Sequence, residues 1–496
     1  VTTGGFNGVA SGVFKLGEVT KLIRESKWPE PSPFTDTVPN SLRFNHTSSD
    51  TLTRTPSSAG NRRKFTISLW TKFIPQAEHR AVFTSGTYAS TQMSQIYFES
   101  DDTLNVSDFT AGQSKNFKIT TDREFRDPSA WYHIVVAIDT TQGTASNRVK
   151  LYVNGVQETS FSEANYPSQN LDCAFNLNQV HTVGNRNGAS FFYNGYMSEV
   201  INVDGTQLAP TSFGETNSDS GIWIPKIITG LTFGTNGYYL KNANAGALGT
   251  DSSGQSNNFT VNNLTSLDQS TDSPSNNFAT WNSLQPTNAT MTEGNLVGAS
   301  SASSGHYSGL STIGVTSGKW YFECKQIQES TTNESIIGVV IFYNTITALL
   351  NPEGRGGAWG IKSQGRGFQT NSSGVGSTTN DFIPGFSNNQ TIGIALDIDN
   401  SKIYFSEGGE WNNSGSWNAA NPTTSQTLQN ALGDGTYFFF AGDASGSNNC
   451  TWSANFGSPA HAISSGNADA NGFGNFEYAP PTGYFSLCTN NLNILE

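Results

Sequence analysis

Residues 131–155 constrain the fold more than any other stretch of this chain: two runs of alternating apolar residues flank a polar loop. In WYHIVVAID, Ile134, Val136 and Ile138 fall on one face of an extended segment, with Trp131, Val135 and Ala137 on the other. A strand that is apolar on both faces needs a protein layer against each. The return run places Val149, Leu151 and Val153 on one face and closes on Asn154-Gly155. That dipeptide is the pair that most readily takes positive φ in a tight hairpin. Residues 140–147 are small or polar, as a surface loop requires. The stretch reads as the central hairpin of a β-sandwich.

At 496 residues the chain exceeds what one core can organise, so two or three domains are expected. Charged residues make up only 13%, and Gly, Ser, Thr and Asn fill the gap, which is the composition of an all-β protein with many turns. The net charge of −13 is uneven: residues 1–250 carry 20 Lys+Arg against 21 Asp+Glu, and residues 251–496 carry 6 against 18. An acidic second half argues against nucleic-acid binding, which needs cations for phosphate. No apolar run approaches the length of a membrane span, so no membrane insertion is expected. Cys173, Cys324, Cys450 and Cys488 lie far apart without a CxxC, and read as buried free thiols rather than metal ligands or disulfides.

Along the chain, Leu16, Val19, Leu22 and Ile23 share a helical face, and Pro29, Pro31 and Pro33 then impose an extended segment. Residues 1–37 therefore read as an attachment arm, or equally as a helix packed on its own sandwich. Strands are expected at 41–44, 65–70, 80–84, 95–99, 103–106 and 116–120, in the 131–155 hairpin, and at 181–184 and 193–203. A second hairpin of the same design, TIGIALDIDNSKIYF, occupies 391–405, with Ile392, Ile394, Leu396 and Ile398 on one face.

The ordered motifs SLRF (41–44), KFTISLWTKF (64–73), WYHIVVAID with NRVKLYVNG, and VGNRNG with FFYNGYMSEV resemble the laminin-G/concanavalin-like jelly roll over residues 38–225. GKWYFECKQ (318–326), IIGVVIF (336–342), GAWGIKSQG (357–365), YFFFAGDASGSNNCTWSANFG (437–457) and FEYAPPTGYFSLC (476–488) resemble the SPRY/B30.2 module over about 280–490. The second stretch departs from that pattern in lacking a Trp before IIGVV and in its long Asn/Ser/Gly loops. The resemblance implies an all-β chain with two concanavalin-like jelly-roll β-sandwiches in tandem. The arm would be 1–37, the first sandwich with its closing strands and linker 38–270, and the SPRY-like sandwich 271–496. The segment RTPSSAGNRRKFTISLW and the KWP arm before it resemble tail and virion proteins of bacteriophages. That implies a tail-fibre or appendage protein, located in the virion, that contacts other virion proteins through the arm and a host-surface glycan or protein through its loops. A homo-oligomer is expected, a trimer by analogy with fibres.

Glycan hydrolysis needs two carboxylates across the scissile bond, and the E-x-D-x-x-E strand of concanavalin-like glycosidases is absent. No enzyme is expected. Glu323, inside WYFEC, reads as an edge or paired carboxylate. Asp397 and Asp399 begin like a Ca²⁺ loop, but Lys402 and Gly408 occupy positions that need Gly and Glu, so this is a hairpin turn. Laminin-G-like domains sometimes hold Ca²⁺ at a rim; no residue here supports an assignment, and no cofactor is expected. Sugars bind through aromatic faces and Asn/Asp hydrogen bonds on loops. The expected ligand-binding residues are Trp411, Asn412, Asn413, Trp417 and Asn418, followed by Asn185 and Arg186, with 355–359 weaker. Against this stands the reading in which each Trp plugs its own sandwich. The functional alternatives are a purely structural capsid or tail decoration and, less favoured, a glycan depolymerase.

Overall fold

The computed structural model describes residues 38–75, 78–187, 191–218, 220–284, 289–300, 307–329, 335–341, 357–370, 376–379, 385–428, 435–443 and 449–495. The expected arm, 1–37, lies outside them. The described chain is nearly all β and forms two sandwiches, each built of two large sheets.

In the first sandwich, one sheet runs in the order Val156–Gln157, Val149–Val153, Trp131–Asp139, Lys64–Phe73, Gly195–Asp204, Ser41–Phe44, Gln269–Ser270. The facing sheet runs Phe161–Asn165, Lys115–Glu124, Thr103–Phe109, Met93–Phe98, Arg80–Ser85, His181–Val183, Thr51–Arg54, Thr260–Asn262. Alternation sets the core between them: Phe65, Ile67, Leu69, Ile134, Val136 and Ile138 meet Phe83, Ile96, Val106, Phe117 and Ile119. The 131–155 hairpin forms as expected. Asn154 and Gly155 have φ of 47° and 79°, the double positive φ that this turn demands. The strands Thr51–Arg54 and Phe161–Asn165 are additions to the expected set, because TLTR and FSEAN carry too few apolar residues to show a period.

The other face of Trp131–Asp139 is covered as well. Val135, Ile201 and Val203 pack under Phe213 and Phe233, from the excursion between Gly195–Asp204 and Tyr238–Leu240, and under Tyr239 of the latter strand. Within this layer Trp223 Nε1 donates to His133 Nδ1 (3.0 Å), which leaves the ring proton on Nε2 to donate to Ser68 Oγ (2.8 Å). Trp70 stacks on the same imidazole at 4.6 Å. Burial holds His133 down at a pKa of about 3. In the unfolded chain His133 protonates near 6.5, so its neutral form loses its contribution to stability as pH falls from 6.5 toward 3. Against a His133→Gln variant, the wild type should therefore lose about 1.4 kcal/mol of relative stability per pH unit between pH 6 and 4. Denaturant unfolding across that range measures it, and a pH-independent difference would contradict the neutral imidazole.

In the second sandwich, one sheet runs Thr290–Thr292, Val297–Ala299, Cys450–Asn455, Lys319–Glu329, Thr391–Asp397, Lys402–Glu407, Glu410–Asn413, Ser416–Ala419. The other runs Tyr307–Leu310, Tyr437–Asp443, Ser335–Ile341, Ala358–Lys362, Gly367–Thr370, Gly376–Thr379. Trp281, Phe322, Ile394, Leu396, Phe439 and Phe456 lie in the core between them. All four cysteines are free and buried.

The two sandwiches meet at a buried polar junction. Gln269–Ser270 is the last strand paired into the first sandwich, and Ala279 already lies in the second core. Between these, Asp272 is buried and accepts from Lys72 Nζ (2.8 Å) and Trp131 Nε1 (3.1 Å) of the first sandwich. Lys72 also donates to Asn277 Oδ1 (2.8 Å) and Phe278 O (2.9 Å), so its three ammonium protons each have an acceptor. Beside it, buried Arg43 bonds Glu293 Oε2 (3.2 Å) and Pro459 O (3.3 Å), and Tyr196 donates to Gly294 O (2.9 Å).

Candidate functional site

The segment 410–418 folds as a hairpin of Glu410–Asn413 and Ser416–Ala419, turning through Ser414 and Gly415 at φ 53° and 99°. It does not present its tryptophans. A register shift between Trp411 and Asn412 sends the two indoles to opposite faces of the sheet. Trp411 (3% exposed) packs with Tyr321, Ala395, Phe476 and Tyr484, and Trp417 (8% exposed) enters the core between the sheets. Asn412 is buried and accepts from Gly415 N (3.1 Å), which stabilises the turn. Only Asn413 and Asn418 of the expected set are exposed, and Asn413 Nδ2 donates to Asn418 Oδ1 (3.1 Å). A stacking platform must be open to its ligand, so burial removes both indoles from that role. Trp359, in the weaker 355–359 candidate, is likewise a core residue.

Asn185 and Arg186 are placed differently. They follow His181–Val183 on the facing sheet of the first sandwich, where Thr53, Thr182, Thr84, Gln95, Ser107 and Lys118 are successive cross-strand partners. Their sequence neighbours Leu52, Val183, Phe83, Ile96, Val106 and Ile119 point into the core, so this row points away from it, with Thr84, Thr182, Gln95 and Ser107 themselves buried. The 185–187 segment is tied to it. Thr84 Oγ1 donates to Asn185 O (2.9 Å), Asn187 Nδ2 to Thr87 Oγ1 (2.8 Å) and Tyr88 N to Asn187 O (2.9 Å). These bonds fix Arg186 beside Tyr88.

The Arg186 guanidinium lies 3.6 Å above the Phe191 ring centroid and 4.1 Å above that of Tyr88. Tyr88 is 39% exposed. His79 extends the aromatic surface, 4.7 Å from Phe191, and Tyr97 lies 5.8 Å from His79. Arg186 makes no hydrogen bond or ion pair among the described residues, and its Nε is buried without an acceptor. Asn185 Oδ1, Thr182 Oγ1 and Gln95 Oε1, from the same face, are also buried without a donor. The neighbouring carboxylate, Glu99, is engaged by Tyr97 Oη (2.8 Å) and Lys118 Nζ (3.2 Å). Burial lowers the Arg186 pKa, but a guanidinium remains charged across the physiological range. The result is a half-buried cation lying over two aromatic rings, with no acceptor for its N–H groups among the described residues.

The buried acids Glu199 and Glu323 are occupied otherwise. Glu199, lifted to a pKa of about 7 by burial, bonds the Tyr239 hydroxyl in the first sandwich. Glu323 lies in the second sandwich, on a strand flanked by Cys450–Asn455 and Thr391–Asp397 rather than at an edge. It accepts from Tyr321 Oη, Tyr478 N, Asn455 Nδ2 and Glu477 N. Asp397 pairs with Lys319 (3.0 Å) and caps the turn through Asn400, and Asp399 accepts from Gly318 N. No group of three or more His, Cys, Asp or Glu placed to hold a metal ion occurs among the described residues.

Residues 46–204 match the family model of the concanavalin A-like lectin/glucanases superfamily, laminin-G type. The whole Arg186 cluster falls inside that span, and the matched domain is of a type that suggests carbohydrate binding or adhesion. No curated protein matches the chain. Among solved structures, the SPRY domain of human HERC1 is similar at 15% identity, covering 32% of this chain and 87% of that one, with a TM-score of 0.25. A SAP-like pentraxin from Limulus polyphemus is similar at 16% identity over 35% and 80%, TM-score 0.25. The TRIM65 PSpry domain is similar at 14% identity over 36% and 91%, TM-score 0.26.

Proposed function

We propose that this protein is a non-enzymatic adhesin of a bacteriophage virion, part of a tail fibre or similar appendage, which recognises a host-surface glycan. The observation that carries the recognition role is the Arg186 cluster: a guanidinium without a hydrogen-bond or ion-pair partner among the described residues, over Phe191 and a part-exposed Tyr88, on a domain matching the lectin/glucanase superfamily. Aromatic faces take the C–H side of a sugar ring, and a fixed cation takes its polar substituents. The virion setting is supported by the resemblance of the RTPSSAGNRRKFTISLW segment and its preceding arm. Residues 1–37 would attach to other virion proteins, and oligomerisation would multiply weak single sites into avidity. Glu323 and Asp397, the acids within apolar strands, are engaged by neighbouring donors, which supports binding without hydrolysis.

A Tyr88→Ala variant should bind host cells roughly 3- to 10-fold more weakly at an unchanged melting temperature, the loss of one stacking ring. Cell-binding isotherms with the purified full chain measure this. Immunogold labelling of particles tests the setting, and absence of the protein from purified virions would refute it. The reading as a spacer without ligand is favoured by the buried junction around Lys72 and Asp272, which would hold the two sandwiches in one orientation. It predicts no effect of Tyr88→Ala on adsorption.

A further inference from the structure

We infer that the Arg186 site takes an acidic polysaccharide, with a uronate-type carboxylate on the guanidinium and the sugar ring against Tyr88. This rests on the reading of the chain as a glycan-binding protein, and adds the charge class of the ligand.

Arg186 differs from the arginines around it. In the first sandwich Arg54, Arg62, Arg63, Arg80 and Arg148 each reach side-chain or backbone oxygens. Arg123 and Arg126 pair with Glu158 and Asp102. None of the five N–H donors of Arg186 has an acceptor among the described residues, and its guanidinium carbon lies 3.6 and 4.1 Å from two ring centroids. A partly desolvated charge without a partner is unfavourable, and a ligand carboxylate removes that penalty through two parallel N–H···O bonds. Because the guanidinium already rests against two rings, little side-chain freedom is lost on binding. Glu99 acts on Arg186 only through its field and makes no hydrogen bond or ion pair with it, being held by Lys118, Tyr97 and His79.

The charge balance selects among anions. Residues 1–250 are close to neutral, with 20 Lys+Arg against 21 Asp+Glu, and Lys115 and Lys118 of the same sheet are already paired with Glu163 and Glu99, so a dense polyanion such as a polysulfate finds no run of free cations around Arg186 among the described residues. A polymer with one carboxylate per sugar offers the guanidinium its partner at the lowest charge density, and its ring supplies the apolar face that Tyr88 can cover.

The test uses the full chain against polygalacturonate, alginate and hyaluronate, the methyl esters of the same three polymers, and neutral galactan, dextran and mannan. Affinity electrophoresis or biolayer interferometry reads the binding. The expected result is binding to at least one acidic polymer, weakened about tenfold or more by esterification and by Arg186→Gln, with Arg186→Lys between wild type and Gln. Unchanged melting temperatures establish that the variants are folded. Equal binding of an acid and its ester, or binding of neutral polymers alone, overturns the charge class and leaves glycan recognition standing. Binding of an acidic polymer that is indifferent to Arg186→Gln overturns the site. Binding to none of the nine polymers overturns both this inference and the glycan reading.

Discussion

A Glu323→Gln variant should lose about 3 kcal/mol of stability or more, although the substitution leaves the shape of the side chain intact. Glu323 is fully buried, between Gly393 and Asn455 on the neighbouring strands. One carboxylate oxygen accepts from Tyr321 Oη (2.9 Å) and Tyr478 N (2.8 Å), the other from Asn455 Nδ2 (3.1 Å) and Glu477 N (2.9 Å). Burial lifts its pKa to about 7, and these bonds pull it back toward the carboxylate. Of the four donors only the Tyr321 hydroxyl can turn to accept from a carboxyl proton or an amide NH₂; the two backbone N–H groups and Asn455 Nδ2 cannot. The substituted amide would turn one oxygen into a donor facing two donors, at least one of which is a backbone N–H. Each buried donor left without an acceptor costs about 1–3 kcal/mol. Denaturant unfolding at neutral pH reads the loss, and a midpoint within error of wild type would show that the carboxylate is not what holds the 477–478 segment against the sheet.

Alternation is a local property of sequence, which is why so much of the fold is legible there. Ile134, Val136 and Ile138, or Ile392, Ile394 and Leu396, announce a strand and its core face without reference to anything distant. Asn154-Gly155 announces its turn in the same way. Side-chain destination is less legible. The run 410–418 has the composition of a sugar-binding loop, but a single register shift between Trp411 and Asn412 sends each indole into a different apolar cluster. No local pattern signals that bulge. Arg186 is visible in the sequence as a cation in a polar loop. Its aromatic setting is not, because Tyr88 lies about a hundred residues earlier and is brought there by the pairing of His181–Val183 with Arg80–Ser85. Glu323 reads as an edge or paired residue because a charge inside an apolar strand usually is one. Its donors come from Glu477 and Tyr478, which only the closed sandwich brings to it.

Lys72→Met should destabilise the chain by about 3–5 kcal/mol, with Asp272→Asn comparably severe and the double variant much less damaging than the sum. Lys72 and Asp272 have side chains that are each 1% exposed, and they are 200 residues apart in sequence. Burial pushes the Asp272 carboxyl up and the Lys72 ammonium pulls it down, so each charge depends on the other for its compensation. Removing one leaves the other uncompensated in a desolvated site, whereas removing both leaves only hydrogen bonds to rearrange. The pair also draws on both sandwiches. Lys72 extends from the Lys64–Phe73 strand to Asn277 and Phe278, and Asp272 binds the Trp131 indole. Losing it should therefore loosen the joint as well as lower the unfolding midpoint, and Lys72→Met should expose the 271–278 segment to protease at concentrations that leave wild type intact. Strict additivity in the double-variant cycle would mean that the two charges do not depend on each other. Unaltered proteolysis in a destabilised Lys72→Met would place the lost energy inside the first sandwich rather than at the joint. Either result would remove the support that this junction gives to a spacer role.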